Sequence, residues 1–255
     1  MILDRFRLDG QVAIVTGAGR GLGLGIAVGL AEAGADIVSV GRTAATPALT
    51  ERIAATGRRL LPLDTDLAEL DDDGAAAILA RTLELFGRVD ILVNNAGTTR
   101  RNPVAEFTTQ DWDYVLGVNL RSIFLLSRTV GREFLGQRRG KIVNVASLLS
   151  FQGGIMTPAY ATAKHGVAGL TKAMANEWAG QGICVNAIAP GYMATDLNER
   201  LLNDPERYRQ ISERIPAGHW GTPEDLAGTA VFLTSAASDY VNGQILAVDG
   251  GWLAR

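Results

Sequence analysis

The stretch "TGAGRGLG", Thr16 to Gly23, decides how this chain folds. It follows the short apolar run "VAIVT" (Val12 to Thr16) and leads into the helical pattern "GIAVGLAEAG", closed by Gly34. A strand, a Gly-rich turn and a helix in that order make a phosphate cradle. Gly17 allows a tight turn, Gly21 lets backbone approach a pyrophosphate, and Gly23 lets helix and strand pack closely. The free N–H groups and positive dipole end of the helix then face the phosphates. Glycines alone are a weak signal; the strand and helix on either side are what favour a nucleotide. The spacing is Gly-x-x-x-Gly-x-Gly, not the commoner Gly-x-Gly-x-x-Gly.

Outward from the turn, the same alternation repeats. "DIVSV" (Asp36 to Val40), "LLPLDTDL", "ILVNNAG", "KIVNVAS" (Lys141 to Ser147), "CVNAIAPG" (Cys184 to Gly191) and "QILAVDGG" are strand-like, each separated by helical stretches. They are nearly continuous in Val, Ile and Leu, as strands buried on both faces are. The expected architecture is α/β: a Rossmann-type, doubly wound parallel sheet with helices on both faces. No low-complexity linker divides residues 1–255, so one dinucleotide-binding catalytic domain is expected. The segment 192–220 is polar and broken by Pro205 and Pro216, and follows a strand end. A substrate lid is expected there.

Composition narrows the function. The chain has 255 residues, 47% of them hydrophobic, and a formal net charge of −3. No basic stripe suggests nucleic acid or an anionic membrane surface. No run is apolar enough for a membrane span, and the start "MILDRFRLDG" is charged where a signal peptide needs an apolar core. Cys184 is the only cysteine, so an intrachain disulfide is excluded and a reducing, cytoplasmic location is expected.

With the Gly-rich turn, further motifs resemble the short-chain dehydrogenase/reductase family along essentially the whole chain. Asp66 in "DTDL", with Leu67 beside it, matches the adenine-contacting position. "NNAG" matches the fourth-strand signature through Asn95, Ala96 and Gly97, and Asn119 in "GVNL" matches the helix Asn. Ser147, Tyr160 and Lys164 fall on the catalytic positions, and "PGYMAT" supplies Pro190, Gly191 and Thr195 near the nicotinamide. The resemblance implies a nicotinamide-dependent oxidoreductase interconverting a secondary alcohol and a ketone. It implies cofactor contacts from Gly17, Arg20, Gly21, Leu22, Gly23, Arg42 and the residues just named, Tyr160 and Lys164 included. It also implies an Asn119-held water linking Lys164 to solvent, and a homotetramer. "TTRRNP", "LSFQGG", "NEWA", "GYMATD" and "DYVNGQILAVDGGWLAR" look most like family members acting on sugar acids such as gluconate or 2-dehydro-3-deoxygluconate. A general carbonyl or 3-oxoacyl reductase is the alternative. A non-catalytic nucleotide sensor disagrees with the intact Ser147, Tyr160 and Lys164.

The chemistry can also be read from the residues. In "YATAKHG", Tyr160 and Lys164 are four apart and share a helix face. A tyrosine ionises near pH 10; an ammonium beside it is expected to lower that, and an oxidised, positively charged nicotinamide ring to push the same way, giving an acid/base suited to near-neutral pH. Ser147, closing another strand, can donate a hydrogen bond to the reacting oxygen. Val167, Leu170, Met174 and Trp178 make the same helix part of the core. His165 faces another side of that helix, Cys184 reads as a buried strand residue, and Asp71 to Asp73 as a helix start. Two distant histidines do not argue for a metal.

Two selectivities remain. The second strand ends "SVGRT", with Gly41 where an acid would bind the ribose hydroxyls of NAD, and Arg42 next. Arg42, with Arg20, can pair with a 2′-phosphate, so NADP(H) is expected to be modestly favoured and NAD(H) also accepted. A sugar acid needs a partner for its carboxylate. Arg100 and Arg101 follow "NNAG" at a strand's C-terminal end, with Arg101 slightly favoured. Gln152 and Gly154 after Ser147, and His219 in the lid, are the other candidates.

Overall fold

The computed structural model describes all 255 residues, Leu197 by its backbone alone. Seven strands, β1 (Val12–Thr16), β2 (Asp36–Gly41), β3 (Leu60–Asp64), β4 (Ile91–Asn94), β5 (Gly140–Val145), β6 (Ile183–Pro190) and β7 (Ile245–Val248), form one sheet. Its order is β3-β2-β1-β4-β5-β6-β7, and every pairing is parallel. The helices are α1 (Gly21–Glu32), α2 (Pro47–Ala55), α3 (Asp72–Phe86), α4 (Thr109–Leu116), α5 (Ser122–Gln137), α6 (Pro158–Trp178), α7 (Glu199–Leu202), α8 (Pro205–Arg214) and α9 (Glu224–Thr234).

The continuous apolar strands are explained by two cores. Along β1, Ala13 and Val15 point into one core with α1, α2 and α9, while Val12 and Ile14 point into the other with α3, α5 and α6. A side-chain period of two therefore serves both faces, and both are largely apolar. The Asp71 carboxylate caps α3, accepting from the Gly74 N–H at 2.8 Å, and Asp72 and Asp73 occupy its first turn. This is the helix start read from the acidic run. Cys184 is buried in β6. Among the described residues, no helix is long and apolar enough to cross a membrane.

Segment 192–220 is more regular than its prolines suggest. Pro205 does not break structure but stands at the first position of α8, where its missing N–H has no helical partner to lose. The Asp204 carboxylate caps that helix, accepting from the Arg207 N–H at 3.1 Å.

The chain runs outward from β1 to β2 and β3 on one side, and from β4 to β7 on the other. A crevice opens where the order reverses, at the C-terminal ends of β1 and β4. Parallel sheets bind ligands at such a switch point.

Candidate active site

The two strand ends at the crevice are clasped together. The Thr16 hydroxyl accepts from the N–H groups of Asn95 and Ala96, each at 2.9 Å. The Asn95 amide donates back to the Thr16 carbonyl at 2.8 Å. Gly17 then turns the chain at φ 67°, a left-handed value that suits glycine. The first helix turn packs so closely that a Cβ on Gly23 would lie 2.1 Å from the Gly17 oxygen and 2.4 Å from Asn95 Nδ2. The N-terminus of α1 is thus held open toward the crevice.

A cleft of about 1110 Å³ runs from this turn along the strand ends to α8. The turn residues Gly17, Arg20, Gly21, Leu22 and Gly23 line one end, with Arg42, Asp66 and Leu67 beside them. Asn95, Ala96 and Gly97 form the middle, facing Ser147, Tyr160 and Lys164. Pro190, Gly191 and Thr195 line the same cleft, as do Arg101, Gln152 and Gly154. Three expected site residues lie elsewhere. Asn119 is fully buried behind the wall. The Arg100 guanidinium is 3.3 Å from Asp111 and 4.6 Å above the Tyr114 ring, so its charge is already partnered. The imidazole of His219 turns back to the Trp220 carbonyl, 3.0 Å away. His165 is exposed, with its ring 2.9 Å from the Ala161 carbonyl. No cluster of His, Cys, Asp and Glu that could hold a metal occurs among the described residues.

The reacting end is built by β5 and α6. Ser147 follows β5, and its Oγ accepts from the Leu149 N–H at 3.1 Å, which leaves its own O–H free to donate. Pro158 starts α6 and puts Tyr160 and Lys164 in the first turns. Lys164 is 2% exposed. Its Nζ donates to the Val145 carbonyl at 2.6 Å and lies 5.5 Å from the centre of the Tyr160 ring. Burial pulls the Lys164 pKa down to about 8.

The phenol corrects one expectation. Burial pushes the Tyr160 pKa up; the nearby Ser147 hydroxyl and the charge of Arg101 pull it back, without reversing the shift. The ammonium of Lys164 is engaged with Val145 and does not overcome desolvation in the free protein. Tyr160 is therefore a protonated acid at neutral pH until another positive charge enters the cleft.

Asn119 sits where the helix between α4 and α5 adopts π geometry, Gly117–Arg121, an irregularity common at functional sites. Its Nδ2 donates to the carbonyls of Thr98 and Val115, each at 2.8 Å, and its Oδ1 accepts from the Thr98 N–H at 3.2 Å. The side chain is thus a clasp on the loop after β4.

A buried polar chain beneath the site was not singled out in the sequence. Asn94 Nδ2 donates to Ser127 Oγ (3.0 Å) and Asn144 Oδ1 (2.9 Å), and Asn144 Nδ2 donates to Thr171 Oγ1 (2.9 Å). It joins β4, β5, α5 and α6. The signal was available: "LVNN" and "IVNV" each place an Asn inside an apolar strand, and the two pair in register.

At the end of the cleft beside the Gly-rich turn, the Arg20 guanidinium is 3.0 Å from the Asp196 carboxylate. Arg42 is exposed to the cleft and has no carboxylate within ion-pair distance among the described residues. Asp64, which ends β3 opposite Gly41, accepts from the Ala44 N–H at 2.8 Å.

A protein-family profile described as enoyl-(acyl carrier protein) reductase matches residues 17–253. The chain is 53% identical to 2-dehydro-3-deoxy-D-gluconate 5-dehydrogenase of Dickeya dadantii (strain 3937) over 256 residues, covering 100% of both. It is 43% identical to gluconate 5-dehydrogenase of Gluconobacter oxydans (strain 621H), covering 97% of this chain and 96% of the relative. The crystal structure of a gluconate 5-dehydrogenase from Burkholderia cenocepacia J2315, in complex with NADP and tartrate, superposes with a TM-score of 0.94 at 43% identity, covering 100% of each chain.

Proposed function

The chain belongs to the short-chain dehydrogenase/reductase family, and on that premise we propose that it is an NADP(H)-preferring oxidoreductase interconverting a secondary alcohol and a ketone on a sugar acid. The observation that carries this reading is the meeting of Ser147, Tyr160 and Lys164 on the wall of a cleft continuous with the Gly-rich turn. The residues present fit a dinucleotide: the α1 N-terminus is open toward the crevice, and a side chain at Gly23 would fill the space its close packing needs. The relatives named for gluconate and dehydro-deoxygluconate support the substrate class.

When bound, the reduced nicotinamide supplies the hydride. In the reducing direction the Ser147 O–H donates to the substrate carbonyl oxygen. Tyr160, protonated at neutral pH, gives its proton to that oxygen as the carbonyl carbon gains the hydride. Lys164 holds a positive charge beside the phenolate that results. Oxidation runs the same transfers backward, and a positive nicotinamide ring then favours the phenolate that serves as base. Asn119 positions Thr98 in the cleft wall. Arg101 lines the cleft within electrostatic reach of Tyr160, and of the two neighbouring arginines expected at the substrate end it is the one that does. Segment 192–220 serves as the lid over the substrate end.

Arg42, unpaired at the end of β2, is the partner proposed for a 2′-phosphate. The enzyme should turn over a keto sugar acid with either reduced cofactor, with a several-fold higher kcat/KM for NADPH. Arg42→Ala should remove or reverse that preference, since a charge-assisted pair contributes roughly 1.5–3 kcal/mol, more than a several-fold preference amounts to. A strong NADH preference untouched by Arg42→Ala would contradict this assignment. No turnover of any keto acid would contradict the function.

We also propose a homotetramer. The edge strand β7 is unpaired on one side, with Leu246 and Tyr240 exposed near it. On α6, a Cβ at Gly169 would meet nothing within 4 Å, whereas Gly166 is already filled by Leu120. Light scattering giving a monomer mass at micromolar concentration would refute the assembly.

A further inference from the structure

The lid carries a second arginine at the substrate end. Of the cations of α8, Arg209 is paired with Glu206 at 2.9 Å and Glu213 at 2.8 Å. Arg207 also lines the cleft and has no carboxylate within ion-pair distance among the described residues, but its guanidinium is turned along the helix, donating to Gln210 Oε1 at 2.8 Å. Arg214, the last residue of the helix, lines the cleft and has no carboxylate within ion-pair distance among the described residues. Its guanidinium lies 3.9 Å above the centre of the Trp252 ring.

That ring is fixed from several directions. Trp252 is buried, its Nε1 donates to Gln152 Oε1 at 3.2 Å, and its ring centre is 4.7 Å from that of Tyr192. Gln152 belongs to the loop after Ser147, and Tyr192 follows β6. The tail is also tied to the lid: the Ala217 N–H donates to the Gly250 carbonyl at 3.0 Å, and Arg255 donates to the Glu213 carbonyl at 3.1 Å. An indole so held presents the guanidinium flat, leaving its in-plane N–H donors to face a ligand. Planar, forked donors suit a carboxylate.

We propose that Arg214, carried by the lid and shelved on Trp252, is a specificity-determining residue that grips the carboxylate of the substrate. This rests on the sugar-acid reading and deepens it. Arg101 acts on the phenol side of the cleft, where its charge is felt by Tyr160. Arg214 stands on the lid side of the cleft. Gln152 ties the loop that follows Ser147 to the Trp252 shelf. Neutral ketones lack the group that Arg214 would grip, and should gain nothing from its charge.

The test compares 5-ketogluconate with L-sorbose, which has the same carbon skeleton with CH2OH in place of the carboxylate. Wild type, Arg214→Gln, Arg214→Lys and Arg101→Gln are assayed with NADPH, and NADPH affinity is measured separately by fluorescence. Arg214→Gln should lower the acid-to-ketose ratio of kcat/KM at least tenfold, mainly through KM for the acid. Arg214→Lys, which keeps charge but not the flat fork, should recover part of it. If Arg214→Gln raises KM for acid and ketose alike, Arg214 only braces the lid and the proposal is overturned. If Arg101→Gln alone changes the ratio, the carboxylate is held without Arg214: the proposal falls while the sugar-acid reading stands. If wild type itself shows no preference for the acid, the sugar-acid reading falls and the proposal with it.

Discussion

Tyr160→Phe should lower kcat by roughly 10³–10⁴-fold, near the upper range for losing a positioned acid–base group. Only one oxygen is removed, and the ring keeps its place at the start of α6, so NADPH affinity and thermal stability should be close to wild type. The two directions of reaction should also respond differently to pH. Burial raises the Tyr160 pKa. Ketone reduction needs the protonated phenol, so its rate should stay flat through neutrality and fall only in alkali. Alcohol oxidation needs the phenolate, so its rate should climb with pH, about tenfold per unit below the operative pKa. Rates measured both ways from pH 6 to 10 check this. Substantial turnover by Tyr160→Phe, or oxidation insensitive to pH, would remove Tyr160 from its role.

Lys164→Met should give a more stable and far less active protein. Burial depresses the Lys164 pKa from an ordinary 10.5 to about 8. Between those values the unfolded chain keeps the proton and the folded chain releases it, so wild-type stability should rise with pH across that window. Below about pH 8 the folded state bears the full cost of the buried charge, on the order of 3 kcal/mol. Methionine removes that cost, and losing the bond to the Val145 carbonyl takes back about 1 kcal/mol. The net gain near pH 7 should be about 2 kcal/mol, with no rise from pH 8 to 10. Because the variant also lacks the charge beside the phenolate, kcat should drop by at least about a hundredfold. Urea unfolding at several pH values and steady-state rates read the two effects. A variant less stable at pH 7, or one that keeps the alkaline rise, would show that the ammonium is not held at a cost.

The sequence made the nucleotide end of the cleft legible because backbone geometry dominates there. Gly17 and Gly23 are demanded by the turn itself, and the strands announce themselves because both faces are buried. The Tyr160–Lys164 pair was legible for a similar reason, since four-residue spacing on a helix fixes a shared face. What escaped depends on side chains that meet from distant parts of the chain. Sequence separates Arg100 from Arg101 only slightly, whereas the pairing of Arg100 with Asp111 and Tyr114 takes it out of the cleft. The sign of the Tyr160 shift depends on burial, which spacing does not report. Pro205 read as a breaker, although the first turn of a helix tolerates it. Trp252, at the end of the chain, joins Gln152, Tyr192 and Arg214 into one wall, a meeting that sequence position does not report.

The measurement that bears most directly on the central claim follows the hydride. The protein is incubated with 5-ketogluconate and NADPH deuterated at its transferable position, and the product is read by mass spectrometry and NMR. One deuterium should appear on the new carbinol carbon of the hydroxy acid, in step with loss of nicotinamide absorbance, and Tyr160→Phe should give none. Oxidation of NADPH with no deuterium on the sugar acid, or labelling of neutral ketones in preference to every keto acid, would contradict the account.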